Sequence, residues 1–305
     1  MAAQTAKTQY IEAKNGVKFA YRHLGSSSGI PLIMHGHFRS NMDYWDPLLL
    51  NNLAARRPVL IFDQAGVGRS SGEVANTFSG WADNVIALLE ALNINQVDLL
   101  GFSMGGCAAQ MVALNARPGL VRKLILAGTA PSAPSPNSDV SGIVWPREIP
   151  PPEPITVLAT RTEEADTLEA LAFSFFYDTD EGKAAAKMYW NRVLERNVPE
   201  EPLILKLLGL EGTKSQTDSY VVDWMTPNPK NSFDRLGELK MPVLVMNGDN
   251  DVLVPSSQSW ELAVKIPNSQ LVLYPKAGHG FLYEYTEAAR EMDFFLDGQL
   301  YTGRL

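Results

Sequence analysis

Cysteine and histidine are both scarce in this chain, and each shortage narrows its chemistry. Its one cysteine is Cys107, so no intrachain disulfide can form. That suits a reducing compartment, and the cytoplasm is the expected location. No uninterrupted apolar run approaches the roughly 20 residues that a membrane helix needs. The opening Met-Ala-Ala-Gln-Thr-Ala-Lys has no apolar core of the kind a signal peptide carries, so none is expected. No Lys/Arg cluster offsets the net charge of -8 (26 basic against 34 acidic residues), which disfavours a non-specific nucleic-acid binder. The chain does have length and apolar content. Its 305 residues, 45% hydrophobic and 20% charged, suffice for a soluble globular protein with an ample core.

The first half alternates strand and helix patterns. Gln9 to Ala13 and Val17 to Leu24 read as a hairpin turning at Asn15-Gly16. Pro31-Leu32-Ile33-Met34 and Val59-Leu60-Ile61-Phe62 are short apolar runs that fit buried strands. Helices are expected over Asp43 to Arg56 and Phe78 to Leu92, the latter with Trp81, Val85, Leu88, Leu89 and Leu92 at helical spacing. Strands follow at Gln96 to Leu100 and Lys123 to Ala127. Such alternation argues for a parallel sheet with helices on both faces.

The pattern breaks after Ala130. Residues 131–154 are dense in proline, with Pro150-Pro151-Pro152 and Pro154, and read as a rigid connector. Helices without strands are expected next, at Thr162 to Phe176, Gly182 to Arg196 and Pro202 to Leu210. Alternation resumes with a strand at Pro242 to Met246 and a helix at Ser256 to Ile266. A strand at Leu271 to Tyr274 and a final helix from Phe281 to Leu296 complete it. The expected division is a core of residues 1–130 and 237–305, interrupted by a helical block at 131–236.

Gly101-Phe102-Ser103-Met104-Gly105 stands between a strand and a helix, and a G-x-S-x-G sequence there reads as a nucleophile elbow. The turn is too sharp for large flanking side chains, so glycines relieve the crowding and the Ser103 hydroxyl is lifted to the top of the sheet. A serine nucleophile needs a base, and the base needs an orienting acid. Of the four histidines (His23, His35, His37 and His279), His279 follows the last expected strand, where an open α/β sheet places its site. The acid should occupy another such loop. Gly248-Asp249-Asn250-Asp251 offers two aspartates, one of which would be a turn residue. The Met104 N–H, next after the nucleophile, is one expected oxyanion donor.

The order serine, aspartate, histidine matches that of α/β-hydrolases. Over nearly its whole length the chain resembles a lid-bearing serine hydrolase of that superfamily, in the style of the lactonase, esterase and perhydrolase group. His35-Gly36 after the third strand and Asp63-Gln64-Ala65-Gly66-Val67-Gly68-Arg69-Ser70 after the fourth add to the likeness. The resemblance implies a mostly parallel eight-stranded sheet flanked by helices, with a helical lid inserted after the sixth strand. It favours Asp251, three residues past Gly248, as the acid. A family variant puts the acid after the sixth strand, but Ala127-Gly128-Thr129-Ala130 holds no carboxylate. Aligning His35-Gly36 with the family's pair makes the second oxyanion donor the His37 N–H. Counting back from Trp45-Asp46-Pro47 makes it the Phe38 N–H, which is preferred.

Other patterns point elsewhere. Gly66, Gly68 and Gly72 resemble a dinucleotide fingerprint, but the third glycine is one place late. His35-x-His37 is half of a metal site with too few further histidines, so no metal is expected. Cys107 reads as a packing residue. Trp145, Trp190 and Trp224 fall in the lid, either as packing or as an aromatic wall over the site that would suit a hydrophobic substrate. The expectation is an enzyme that hydrolyses a carboxylic ester or lactone without a cofactor. The alternatives are a carbon–carbon bond hydrolase acting on a diketone and a receptor-like, non-catalytic homologue. The expected partner is a small-molecule substrate, not nucleic acid or a membrane, with a homodimer left open.

Overall fold

The structure, a computed structural model, describes residues 2–140 and 151–298. Strands β1 (Gln9–Glu12) and β2 (Lys18–Leu24) form the hairpin, with Gly16 at φ +80° in the turn. Then follow β3 (Leu32–His35), α1 (Pro47–Ala54), β4 (Val59–Phe62), α2 (Phe78–Ala91), β5 (Val97–Phe102), α3 (Met104–Asn115) and β6 (Val121–Ala127). The insert carries α4 (Pro152–Thr160), α5 (Thr167–Phe175), α6 (Asp180–Leu194) and α7 (Leu210–Asp218). The chain returns with β7 (Val243–Gly248), α8 (Ser256–Lys265), β8 (Ser269–Tyr274), α9 (Phe281–Glu284) and α10 (Ala288–Leu296).

The eight strands form one sheet in the order β1-β2-β4-β3-β5-β6-β7-β8. The β1/β2 and β2/β4 pairs are antiparallel, and every later pair is parallel. Strands β3, β4, β5 and β7 are buried along their whole length, which is why they read as continuous apolar runs. From β3 the chain steps to β4 on one side and later to β5 on the other. This reversal leaves the loops after β3 and β5 facing each other, the place where such sheets bind ligands.

Several local expectations give way. The expected helix at Pro202 to Leu210 is irregular chain, because its backbone groups bond across the molecule. Ile204 N donates to Asp43 Oδ2 at 2.9 Å and Leu208 N to Arg39 O at 3.1 Å, while Leu205 O accepts from the hydroxyls of Tyr44 and Thr167. Conversely, part of the expected proline connector is helix α4. Pro152 sits in its first turn, where a missing N–H costs nothing. The helix expected from Asp43 to Arg56 starts at Pro47, capped by the Asp46 side chain on Leu48 N. The final helix is interrupted between α9 and α10 at Tyr285, whose ring packs on Tyr274. Among the described residues, no helix is long and apolar enough to cross a membrane.

Candidate active site

Ser103 stands between β5 and α3 with φ 59° and ψ −125°. A non-glycine residue held there stores roughly 1–3 kcal/mol of backbone strain. The elbow is fixed on both sides: Ser103 N donates to Ala127 O at 2.8 Å, and Gly106 N to Ser103 O at 2.8 Å. The glycines have steric reasons. A Cβ on Gly101 would overlap Gly105 O, and one on Gly105 would overlap His35 O and Gly36 O. The absent side chain of Gly105 therefore lets the elbow helix press against the loop after β3.

Asp251 and His279 meet above this elbow. Asp251 Oδ2 lies 2.6 Å from His279 Nδ1, and both side chains are fully buried. Oδ1 of the same carboxylate accepts from Leu253 N and Val254 N, each at 2.8 Å, which fixes the orientation of the acid. Asp249 is exposed, and its N–H serves the turn by donating to Tyr274 O at 2.9 Å. A carboxylate on Nδ1 puts the imidazole proton there and leaves Nε2 as a lone pair. Nε2 is buried and has no hydrogen-bond partner among the described residues. Phe102, the neighbour of Ser103, stacks on the His279 ring at 5.1 Å. No hydrogen bond joins Ser103 to His279, and catalytic hydrogen bonds of this kind often tighten only in the substrate complex. Ser103 is only 8% exposed.

The candidate oxyanion region is built from main chain. The N–H groups of Met104, His37 and Phe38 make no hydrogen bond to the described residues, so all three are free to donate. The loop that carries the last two is clamped by Asp63 at the end of β4. Its carboxylate accepts from Met42 N and Arg69 N, each at 2.7 Å. Burial pushes the Asp63 carboxyl up to about 6 against these two bonds. One glycine of the three-glycine pattern serves this clamp: a side chain on Gly68 would overlap the Asp63 carboxylate. A cavity of about 10 Å³, room for a single water, lies under the loop beside His35, Ser40 and Gln64.

His35 and His37 do not share a ligand position. His35 stacks on Trp81 at 5.5 Å, whereas His37 packs edge-on against Phe175 at 4.7 Å. Among the described residues, no group of three or more His, Cys, Asp or Glu is arranged to hold a metal ion. Cys107 is buried, and burial drives its thiol up to about 12.

The two described tryptophans of the insert, Trp190 and Trp224, pack on rings other than His279. Trp224 is fully buried against Phe78 of α2 at 5.0 Å, and half-buried Trp190 lies between Tyr44 and Tyr189. Trp145 lies outside the described residues. Among the described residues, one ring of the insert that touches the site is Phe175 of α5, 4.8 Å from His279, and Phe175 O accepts from Gly280 N at 2.6 Å. Arg39, too, is marked by no sequence motif. Its φ is 62°, and its fully buried guanidinium donates to Leu158 O and Arg161 O at 2.7 Å and to Leu208 O at 2.9 Å. It thereby ties the insert to the loop of the candidate oxyanion donors. Neither residue follows a motif, and both act through partners more than a hundred positions away in sequence.

An elbow serine beside a carboxylate-bound histidine, on a sheet of this order, defines a class of hydrolytic enzymes. The chain matches the alpha/beta hydrolase family over residues 32–291 and belongs to it. A solved structure, an alpha/beta hydrolase fold protein from Chitinophaga pinensis, superposes with a TM-score of 0.81 at 31% identity, covering 97% of this chain and 99% of that one. A 2-hydroxy-6-oxononadienedioate/2-hydroxy-6-oxononatrienedioate hydrolase from Cupriavidus pinatubonensis is 28% identical across 95% of this chain and 94% of its own. A proline iminopeptidase from Lactobacillus delbrueckii subsp. bulgaricus is 26% identical across 81% and 82% respectively. The chain is an enzyme of the α/β-hydrolase type.

Proposed function

We propose that this enzyme hydrolyses an uncharged, largely apolar carboxylic ester or lactone through an acyl-enzyme on Ser103. The observation that carries the reading is the buried Asp251–His279 pair beside the serine elbow, with His279 Nε2 unpaired. Ser103 attacks the carbonyl as His279 Nε2 takes its proton. Asp251 holds the imidazole in the required tautomer and stabilises its charged form. The N–H of Met104 and that of Phe38 or His37 hold the oxyanion. His279 then protonates the leaving alkoxide, and a water activated by the same nitrogen releases the acid. No cofactor enters the scheme.

Among the described residues, the state of the buried and half-buried arginines supports an uncharged substrate. The relative from Cupriavidus pinatubonensis is named for a dioate, which carries two carboxylates. A dianion needs cations in its pocket, because an unpaired buried charge is expensive. In this chain Arg22 pairs with Asp43, Arg57 with Asp293, Arg192 with Asp46 and Arg196 with Glu201. Arg69 shares Asp43, and Arg39 is taken up by carbonyls. Among the described residues, no lysine is buried.

The same triad could cleave a carbon–carbon bond in a diketone, and the name of that relative favours this as the second reading. Product analysis separates the two. The test uses p-nitrophenyl esters of graded chain length, small and macrocyclic lactones, and a diketone dicarboxylate, each with wild type and Ser103→Ala. Ester or lactone turnover that falls about 10⁴-fold or more in Ser103→Ala supports the proposal. Turnover of the diketone alone, or ester turnover unaffected by the substitution, overturns it.

A further inference from the structure

His37 is buried beside the base and has one ring nitrogen left over. Its Nδ1 lies 3.0 Å from Phe38 O, and because a carbonyl only accepts, Nδ1 carries the proton. Burial drives the ring's pKa down to about 3; the Phe38 bond opposes the fall and the charge of His279 adds to it. The imidazole is therefore neutral at physiological pH, and Nε2 is a bare acceptor. That atom is fully buried, with no hydrogen-bond partner among the described residues.

Its surroundings are aromatic rings. Tyr44 lies at 6.0 Å, Phe102 at 5.6 Å and Phe175 at 4.7 Å. None of them supplies a donor, since the Tyr44 hydroxyl is committed to Leu205 O at 2.7 Å. Phe102 and Phe175 are also the rings that enclose His279, at 5.1 and 4.8 Å. The orphan acceptor thus shares an aromatic shell with the catalytic base and belongs to the loop of the candidate oxyanion donors. A buried acceptor without a donor is costly, and native structures keep few of them without a reason. Here the missing donor has a natural source, the substrate itself.

We propose that His37 Nε2 is a specificity determinant. It accepts a hydrogen bond from a hydroxyl or N–H group that the substrate carries within a few atoms of the scissile carbonyl. The preferred substrate is then a hydroxylated or amino-bearing ester or lactone with an otherwise apolar body. This rests on the ester-hydrolase reading, and no step of the chemistry passes through His37.

The test compares phenyl butyrate, its 2-hydroxy and 3-hydroxybutyrate analogues, and 2-hydroxyphenyl butyrate, so that the donor is offered on either side of the carbonyl. Wild type should prefer at least one hydroxylated ester over phenyl butyrate by about tenfold in kcat/KM, and His37→Phe should abolish that ratio. His37→Gln, which restores an acceptor, should recover part of it. A preference that His37→Phe keeps, or no preference in wild type, overturns the assignment and leaves the ester reading standing. A wild type that hydrolyses none of the four esters overturns the assignment, and the ester-or-lactone reading falls with it when the lactones are refused too. Nitrogen-15 NMR gives a readout that needs no turnover: His37 should carry its proton on Nδ1, and an Nε2-protonated ring refutes the proposal.

Discussion

Glu261 offers a test of the electrostatics that does not involve the active site. It lies on α8 with its side chain 1% exposed, and neither carboxylate oxygen has a hydrogen-bond partner among the described residues. Burial pushes its carboxyl up from 4.5 to about 7, with Lys265 opposing. Because the folded-state pKa is raised, the folded chain holds a proton between those values that the unfolded chain has released. Stability therefore falls as pH rises from about 4.5 through about 7. Each unit is worth about 1.4 kcal/mol, so the full loss is about 3 kcal/mol above pH 7. Glu261→Gln imitates the protonated acid at every pH. Thermal unfolding of wild type and variant at pH 5 and pH 8 checks the argument. The variant's advantage should grow by roughly 5 °C between the two pH values for a protein of this size. A constant cost of burying the amide cancels in that difference. An advantage that stays flat or shrinks toward pH 8 would refute the reasoning.

Two further substitutions probe the site. Asp251→Asn keeps an oxygen for Leu253 N and Val254 N but turns an amide N–H toward His279 Nδ1, which forces the wrong tautomer. Single-turnover or steady-state assays should show kcat lowered by about 10⁴ in a protein that still folds. Gly105→Ala would drive a methyl into His35 O and Gly36 O. Denaturant unfolding should show a loss of about 2 kcal/mol, and kcat should drop about 10²-fold as the oxyanion loop shifts.

What could be read from the chain alone followed from the range of each interaction. The elbow is legible because its tight turn is a local pattern: Gly101 makes room for Gly105 and Gly106 just beyond it, while Gly105 makes room for the loop after β3. The parallel strands are legible because burial on both faces leaves continuous apolar runs such as Val59 to Phe62. Asp249 and Asp251 could not be separated by spacing alone, and it is the fold that buries one against His279 and leaves the other in solvent. The segment from Pro202 to Leu210 misled for the opposite reason. Its composition suits a helix, but Asp43 and Arg39 claim its N–H groups from far along the chain. Tertiary bonds of this kind override weak local propensity.

Arg39 draws these strands together. A fully buried guanidinium is normally matched by a carboxylate, yet this one is satisfied by carbonyls of three separate lid positions, Leu158, Arg161 and Leu208. Its own backbone N–H donates to Gln216 Oε1 at 2.8 Å, a fourth link to the lid. Next to it in sequence are His37 and Phe38, whose N–H groups are the candidate oxyanion donors. The lid also grips the other side of the site, where Phe175 O holds Gly280 N beside His279. Any displacement of the insert would therefore pull on both the loop of His37 and Phe38 and the loop of His279. The bonds that seat the insert are thus the same bonds that position the loops on either side of Ser103, and a substitution that loosens one should disturb the other.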